Sequence, residues 1–102
     1  VSPTRIGDEV TVGHNAIIHG ATIEDRCLIG MGAIIMDDVV IGEGSIVGAG
    51  AVVPPNMIIP PRSLVLGLPA KIVRQTTGEE LEMIIERAQH YIDFSQEYKN
   101  LI

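Results

Sequence analysis

Broken at every sixth residue, positions 23–65 read IEDRCL, IGMGAI, IMDDVV, IGEGSI, VGAGAV, VPPNMI, IPPRSL and V. An isoleucine or valine opens every unit: Ile23, Ile29, Ile35, Ile41, Val47, Val53, Ile59 and Val65. Four residues further on stands a small or medium side chain, at Cys27, Ala33, Val39, Ser45, Ala51, Met57 and Ser63. Glycine follows the aliphatic residue at Ile29, Ile41 and Val47. Upstream, Ile6-Gly7 and Val12-Gly13 repeat the pattern one residue out of phase, which makes Ile18 to Thr22 a five-residue unit and the one break in the period. An amphipathic helix spaces its apolar residues by 3.6, and simple strand alternation does not return every sixth place. A chain that turns a corner every six residues does.

Three short strands per turn then build a triangular coil. The aliphatic residue points inward, glycine relieves the backbone at the corner, and successive coils stack by parallel pairing about 4.8 Å apart. The interior is a narrow column of Ile and Val. Composition agrees, because these two residues fill a quarter of the 102 positions while Tyr91, Tyr98 and Phe94 are the only aromatics. The pattern resembles the left-handed parallel β-helix proteins, and the left hand is implied by that resemblance. We therefore expect an all-β fold, a left-handed parallel β-helix of hexapeptide repeats, over residues 1–75. Residues 6–69 supply roughly three and a half coils, about the minimum for a stacked-repeat protein. Pro54-Pro55 and Pro60-Pro61 remove ladder donors and mark the last coil as an edge. The chain then leaves through Leu68-Pro69-Ala70-Lys71. Residues 76–102 are expected to form a C-terminal α-helix, from about Glu79 to Tyr98, laid on the column or a neighbour. Thr76 and Thr77 each precede a glutamate by three, a capping-box spacing. Leu81, Ile84, Ile85, Ala88, Tyr91, Ile92 and Ser95 form its apolar stripe.

Charge narrows the function classes. A net charge of −6 disfavours nucleic acid and anionic membranes as partners. No apolar run is long enough for a membrane span, no signal peptide opens the chain, and the single Cys27 makes no internal disulfide; cytoplasm is the expected compartment.

The break in the repeat coincides with Gly13-His14-Asn15-Ala16-Ile17-Ile18-His19-Gly20. Neutral imidazole is the commonest zinc ligand. Five residues along an extended coil with a corner do not readily aim two side chains at one ion, but His14 of one subunit and His19 of its neighbour would. Taken alone, the pair equally fits surface histidines hydrogen-bonded along the column. Cys27 reads as inert packing and His90 as a solvated residue. Asn15 reads as a hydrogen-bonding neighbour of the site or a corner stabiliser, and Glu24-Asp25 and Asp37-Asp38 as solvated corners.

Residues 6–21, together with Ile29-Gly30-Met31-Gly32, the stretch Gly48 to Pro55 and the stretch Gly67 to Arg74, resemble the γ-class carbonic anhydrase family. The His-Asn-x-x-x-His rung is the specific element of that resemblance. The resemblance implies a homotrimer with zinc (alternatively iron or cobalt) at each subunit interface, with His14 and His19 as ligands from different subunits and CO2/bicarbonate as the small-molecule substrate of a lyase. It also implies a tyrosine near the metal cleft, for which Tyr91 is the candidate catalytic residue. The family's third histidine lies one coil earlier, and no histidine precedes His14. The family's assisting carboxylate, glutamine and arginine positions are likewise upstream. The chain thus resembles the C-terminal three-fifths of a family member, as a piece of a longer polypeptide or a natural short form, and weak or absent hydratase activity is expected of it. Two alternatives are a hexapeptide-repeat acyltransferase using a CoA donor, to which the Gly67 to Lys71 turn is equally suited, and a non-catalytic trimeric scaffold.

Overall fold

A computed structural model describes residues 2–101, with side chains through residue 90. Eleven short strands wind as a parallel solenoid: β1 (Arg5–Ile6), β2 (Thr11–Val12), β3 (Ile17–Ile18), β4 (Thr22–Ile23), β5 (Leu28–Ile29), β6 (Ile34–Ile35), β7 (Val40–Ile41), β8 (Ile46–Val47), β9 (Val52–Val53), β10 (Ile58–Ile59) and β11 (Ser63–Leu66). Every third strand stacks on the same face. The three sheets run β1-β4-β7-β10, β2-β5-β8-β11 and β3-β6-β9. This is the left-handed β-helix of hexapeptide repeats, about three turns deep.

The register reports the break in the period. Arg5 pairs with Thr22, Thr11 with Leu28 and Ile17 with Ile34, each 17 residues on. Thr22 then pairs with Val40 and Leu28 with Ile46, each 18 residues on. The missing residue belongs to the corner between β3 and β4, where His19, Gly20 and Ala21 do what four residues do elsewhere.

All eight residues that open the hexads are 0–1% exposed. Hydrophobic transfer at roughly 25 cal/mol per Å² of apolar area makes this column the dominant stabilising term. The two inward residues of the first coil differ: Ile6 is 49% and Val12 41% exposed. Among the described residues, β1, β2 and β3 are the outer strands of their sheets.

One expectation about the corners is corrected. The glycines directly after the aliphatic residues do not supply left-handed backbone. That conformation falls two residues later, at Arg26, Gly32, Asp38, Gly44, Gly50, Asn56 and Arg62, all with φ between 57° and 74°. Gly30 is needed for space: a Cβ there would fall 2.5 Å from the Ala49 nitrogen one coil below. The corner brings two backbones into contact, and a side chain would push the coils apart.

After β11 the chain does not simply leave. It doubles back as β12 (Lys71–Gln75), antiparallel to β11. α1 (Gly78–Leu101) follows. Of its two candidate caps, the structure uses Thr77: its Oγ1 accepts the Glu80 N–H at 3.1 Å, and the Thr77 N–H donates to Glu80 Oε1 at 2.9 Å. Thr76 is buried instead, its hydroxyl donating to the Gly44 carbonyl and accepting from Arg62 Nε. On α1, Ile84 and Ala88 are buried and Leu81 and Ile85 partly so, as the stripe requires. The expected stripe positions Tyr91, Ile92 and Ser95 lie outside the residues whose side chains are described. Among the described residues no helix is long and apolar enough to cross a membrane.

Candidate metal centre

His14 and Asn15 form the corner between β2 and β3. The His14 carbonyl accepts the Gly32 N–H from the coil below at 2.9 Å. Asn15 adopts φ 62°, which its short polar side chain tolerates better than most, so it serves the corner backbone. His19 closes the other end of the same face, its N–H donating to the Ile35 carbonyl at 2.8 Å. Both histidines are exposed. The face between them carries β3, β6 and β9. Because Ile35 and Val53 point inward with no exposure, strand alternation turns Ile17, Ile34 and Val52 outward on successive coils. Ile17 is 49% exposed. An apolar strip thus runs down the face with an imidazole at each border of its upper end.

An extended backbone rises about 3.3 Å per residue, so five residues separate the two positions by up to ~16 Å along the strand. Among the described residues, no group of three or more histidine, cysteine, aspartate or glutamate side chains gathers to hold an ion within one chain. The geometry agrees with the spacing argument that the two rings of one chain serve different sites. As donors, neutral imidazoles suit zinc, iron and cobalt alike, so the residues present fit such an ion.

The short corner brings one further group to His19. Gly20 turns with φ 48°, and Nδ1 of His19 stands 3.7 Å from Asp37 Oδ1 on the next coil. Sequence reading places Asp37-Asp38 among solvated corners. Asp37 is instead set apart by one oxygen, Oδ1, which is closed to solvent and accepts no hydrogen bond. The signal that points to it is arithmetic: residue 37 lies one 18-residue coil after residue 19.

The other candidates are placed as follows. His90 is exposed on α1. Cys27 is fully buried, with Sγ 3.3 Å from the Gly42 carbonyl. Burial pushes its thiol up to about 11, against weaker lowering by backbone hydrogen bonds, so it is a packing residue and a poor nucleophile. The side chain of Tyr91 lies outside the described residues.

The family model described as bacterial transferase hexapeptide (six repeats) matches residues 3–33 and 20–55. Among curated relatives, a carbonic anhydrase of Geobacillus kaustophilus is 52% identical over 98% of this chain and 55% of its own length. The mitochondrial gamma carbonic anhydrase 2 of Arabidopsis thaliana is 47% identical over 94% of this chain and 34% of its own length. The chain therefore spans a third to somewhat over half of these relatives. Among solved structures, a hexapeptide transferase family protein from Anaplasma phagocytophilum superposes with a TM-score of 0.85, 34% identical, covering 95% of this chain and 63% of the other. A hexapeptide-repeat acetyltransferase from Vibrio cholerae, complexed with acetyl coenzyme A, gives a TM-score of 0.68 at 31% identity, covering 74% of this chain and 50% of the other.

Proposed function

The chain belongs to the bacterial transferase hexapeptide family, and from that premise we propose that it is a γ-carbonic anhydrase-like, metal-binding member. In this reading it is a homotrimer, and His14 of one subunit and His19 of the next share an ion. The observation that carries the proposal is the placement of the two imidazoles at opposite borders of one outward apolar strip. Burying Ile17, Ile34 and Val52 against a second copy removes apolar surface from water. The same contact brings the border of one chain to the border of another. Zinc, iron or cobalt bound there would supply Lewis-acid activation of water near neutral pH for reversible CO2 hydration. His14 and His19 would hold the ion through neutral ring nitrogens. The strip would keep bulk water from the buried side of the site.

His14 is the first histidine in the sequence, so the residues given bring two imidazoles to each shared site. Two ligands hold an ion weakly, and hydration is expected to be slight. The identity of 52% to a carbonic anhydrase over nearly the whole chain favours this reading over CoA-dependent acyl transfer. The acetyltransferase likeness keeps acyl transfer as the second reading.

The test is complementation. His14→Ala and His19→Ala are each expected to abolish stoichiometric zinc binding as pure oligomers. Oligomers reassembled from a mixture of the two variants are expected to regain part of it, because some interfaces then pair an intact His14 with an intact His19. Monomeric wild-type protein, zinc binding by either pure variant, or tight coenzyme A binding without metal binding would overturn the proposal.

A further inference from the structure

The orphaned oxygen of Asp37 points to a role for that side chain. The carboxylate as a whole is 46% exposed, yet Oδ1 is sealed from solvent and has no donor. A buried acceptor left in this way is uncommon and costly, and native structures normally supply a partner. Space for it comes from Gly20, where a Cβ would fall 2.7 Å from Oδ1. The amides around it are engaged elsewhere. His19 N–H donates to Ile35, Asp38 N–H to the Gly20 carbonyl, and Gly20 N–H to Thr4 Oγ1 at 3.0 Å. The neighbouring carboxylate has its own donor, since Ser2 Oγ donates to Asp38 Oδ1. Nδ1 of His19, at 3.7 Å, is the ring nitrogen facing the orphan, and it lies less than about 1 Å beyond hydrogen-bond length.

We propose that Asp37 is a positioning residue for His19: Oδ1 accepts the Nδ1 proton and leaves the Nε2 lone pair, on the far side of the ring, to face the ion. A neutral imidazole offers a lone pair from one nitrogen only, and the hydrogen bond made by the other nitrogen decides which. A carboxylate in that place also fixes the ring's orientation and raises its basicity as a ligand. This inference rests on the reading of His19 as a metal ligand. It adds that the tautomer is set before any ion arrives.

The test therefore begins on metal-free protein. Long-range ¹H–¹⁵N spectra of the full chain with ¹⁵N-labelled histidine, recorded well above the ordinary imidazole pKa of ~6.5, report the tautomer of each ring; His14→Gln and His90→Gln assign them. His19 is expected as the Nδ1–H tautomer in the wild type, in Asp38→Asn and in Asp37→Asn, whose amide oxygen still accepts. Asp37→Ala is expected to move it toward Nε2–H and, by chelator competition, to weaken zinc binding about 10- to 100-fold. A purely structural Asp37 would alter stability and leave the tautomer unchanged. Nε2–H at His19 in the wild type, or no change in Asp37→Ala, overturns the proposal whatever the metal data show. A wild type with Nδ1–H at His19 and no zinc binding overturns the proposed function and leaves the hydrogen bond standing.

Discussion

Two glycines in one corner separate close approach from backbone conformation, and substituting each with alanine measures the two effects apart. Gly32 has φ 69° and open space where a Cβ would go. Alanine there pays only for the left-handed backbone, about 1–2 kcal/mol, less about 0.4–1 kcal/mol from a stiffer unfolded chain. The net loss is therefore of order 1 kcal/mol. Gly30 has an ordinary backbone, but its Cβ would sit 2.5 Å from the Ala49 nitrogen and 2.8 Å from the Gly48 carbonyl carbon. Both are backbone atoms and cannot swing aside. Relief means spreading two coils by about 1 Å beside the bond from Gly30 N–H to the Val47 carbonyl, now 2.8 Å. Overpacking costs roughly 1–3 kcal/mol and a weakened ladder bond about 1 kcal/mol, so Gly30→Ala should lose about 2–4 kcal/mol. Urea unfolding followed by circular dichroism reads the difference. With a slope of ~2 kcal/mol per molar, the Gly30→Ala midpoint should fall about 1 M below that of Gly32→Ala. Equal midpoints, or a more damaging Gly32→Ala, would refute the claim that glycine after the aliphatic residue serves coil contact.

Other consequences are as direct. Cys27, buried and with its pKa pushed up to about 11, should resist alkylation at mildly alkaline pH until the column unfolds; rapid labelling of the folded protein would show the interior to be open. Since the folded-state pKa of Cys27 lies above its unfolded value, its contribution is full below ~8.5 and is lost as pH rises toward about 11, visible as a falling urea midpoint. Glu80 shows the opposite sign. The hydrogen bond from Arg74, then those from Thr77, hold its carboxyl at about 2. Its support of the α1 cap is present above ~4.3 and fades as pH falls through about 2. Arg74→Ala should move that loss of helix signal to higher pH. Thr76→Val removes the buried hydroxyl between Gly44 and Arg62 and should cost about 1–3 kcal/mol in denaturant unfolding by stranding those partners.

The period of six carried the column because each hexad answers the same local demand. An aliphatic residue every sixth place must either line an interior or lie exposed, and all eight that were read as inward are buried. The five-residue unit likewise announced the short corner. The β12 hairpin was less legible, since Lys71–Gln75 is exposed along its length and carries no buried alternation. What holds it is pairing to β11, a partner set by where the last coil ends. Thr76 and Thr77 offered equivalent caps in sequence, and burial of Thr76 beneath Arg62 chose between them. The same holds for the site. That two imidazoles five residues apart cannot serve one ion followed from spacing alone. That Asp37 stands under His19 required the stacking register, 18 residues per coil at that corner.

Repetition of side-chain size along the chain thus determined the solenoid, its inward residues and the rung that bears the histidines. The tertiary structure decided which corner residues meet across coils, where the chain turns back, and which carboxylate faces which ring. The physical reason is one of range. Inward or outward is settled within a hexad by water, whereas neighbours one coil away depend on every intervening corner having its particular length, and a single omitted residue shifts them all.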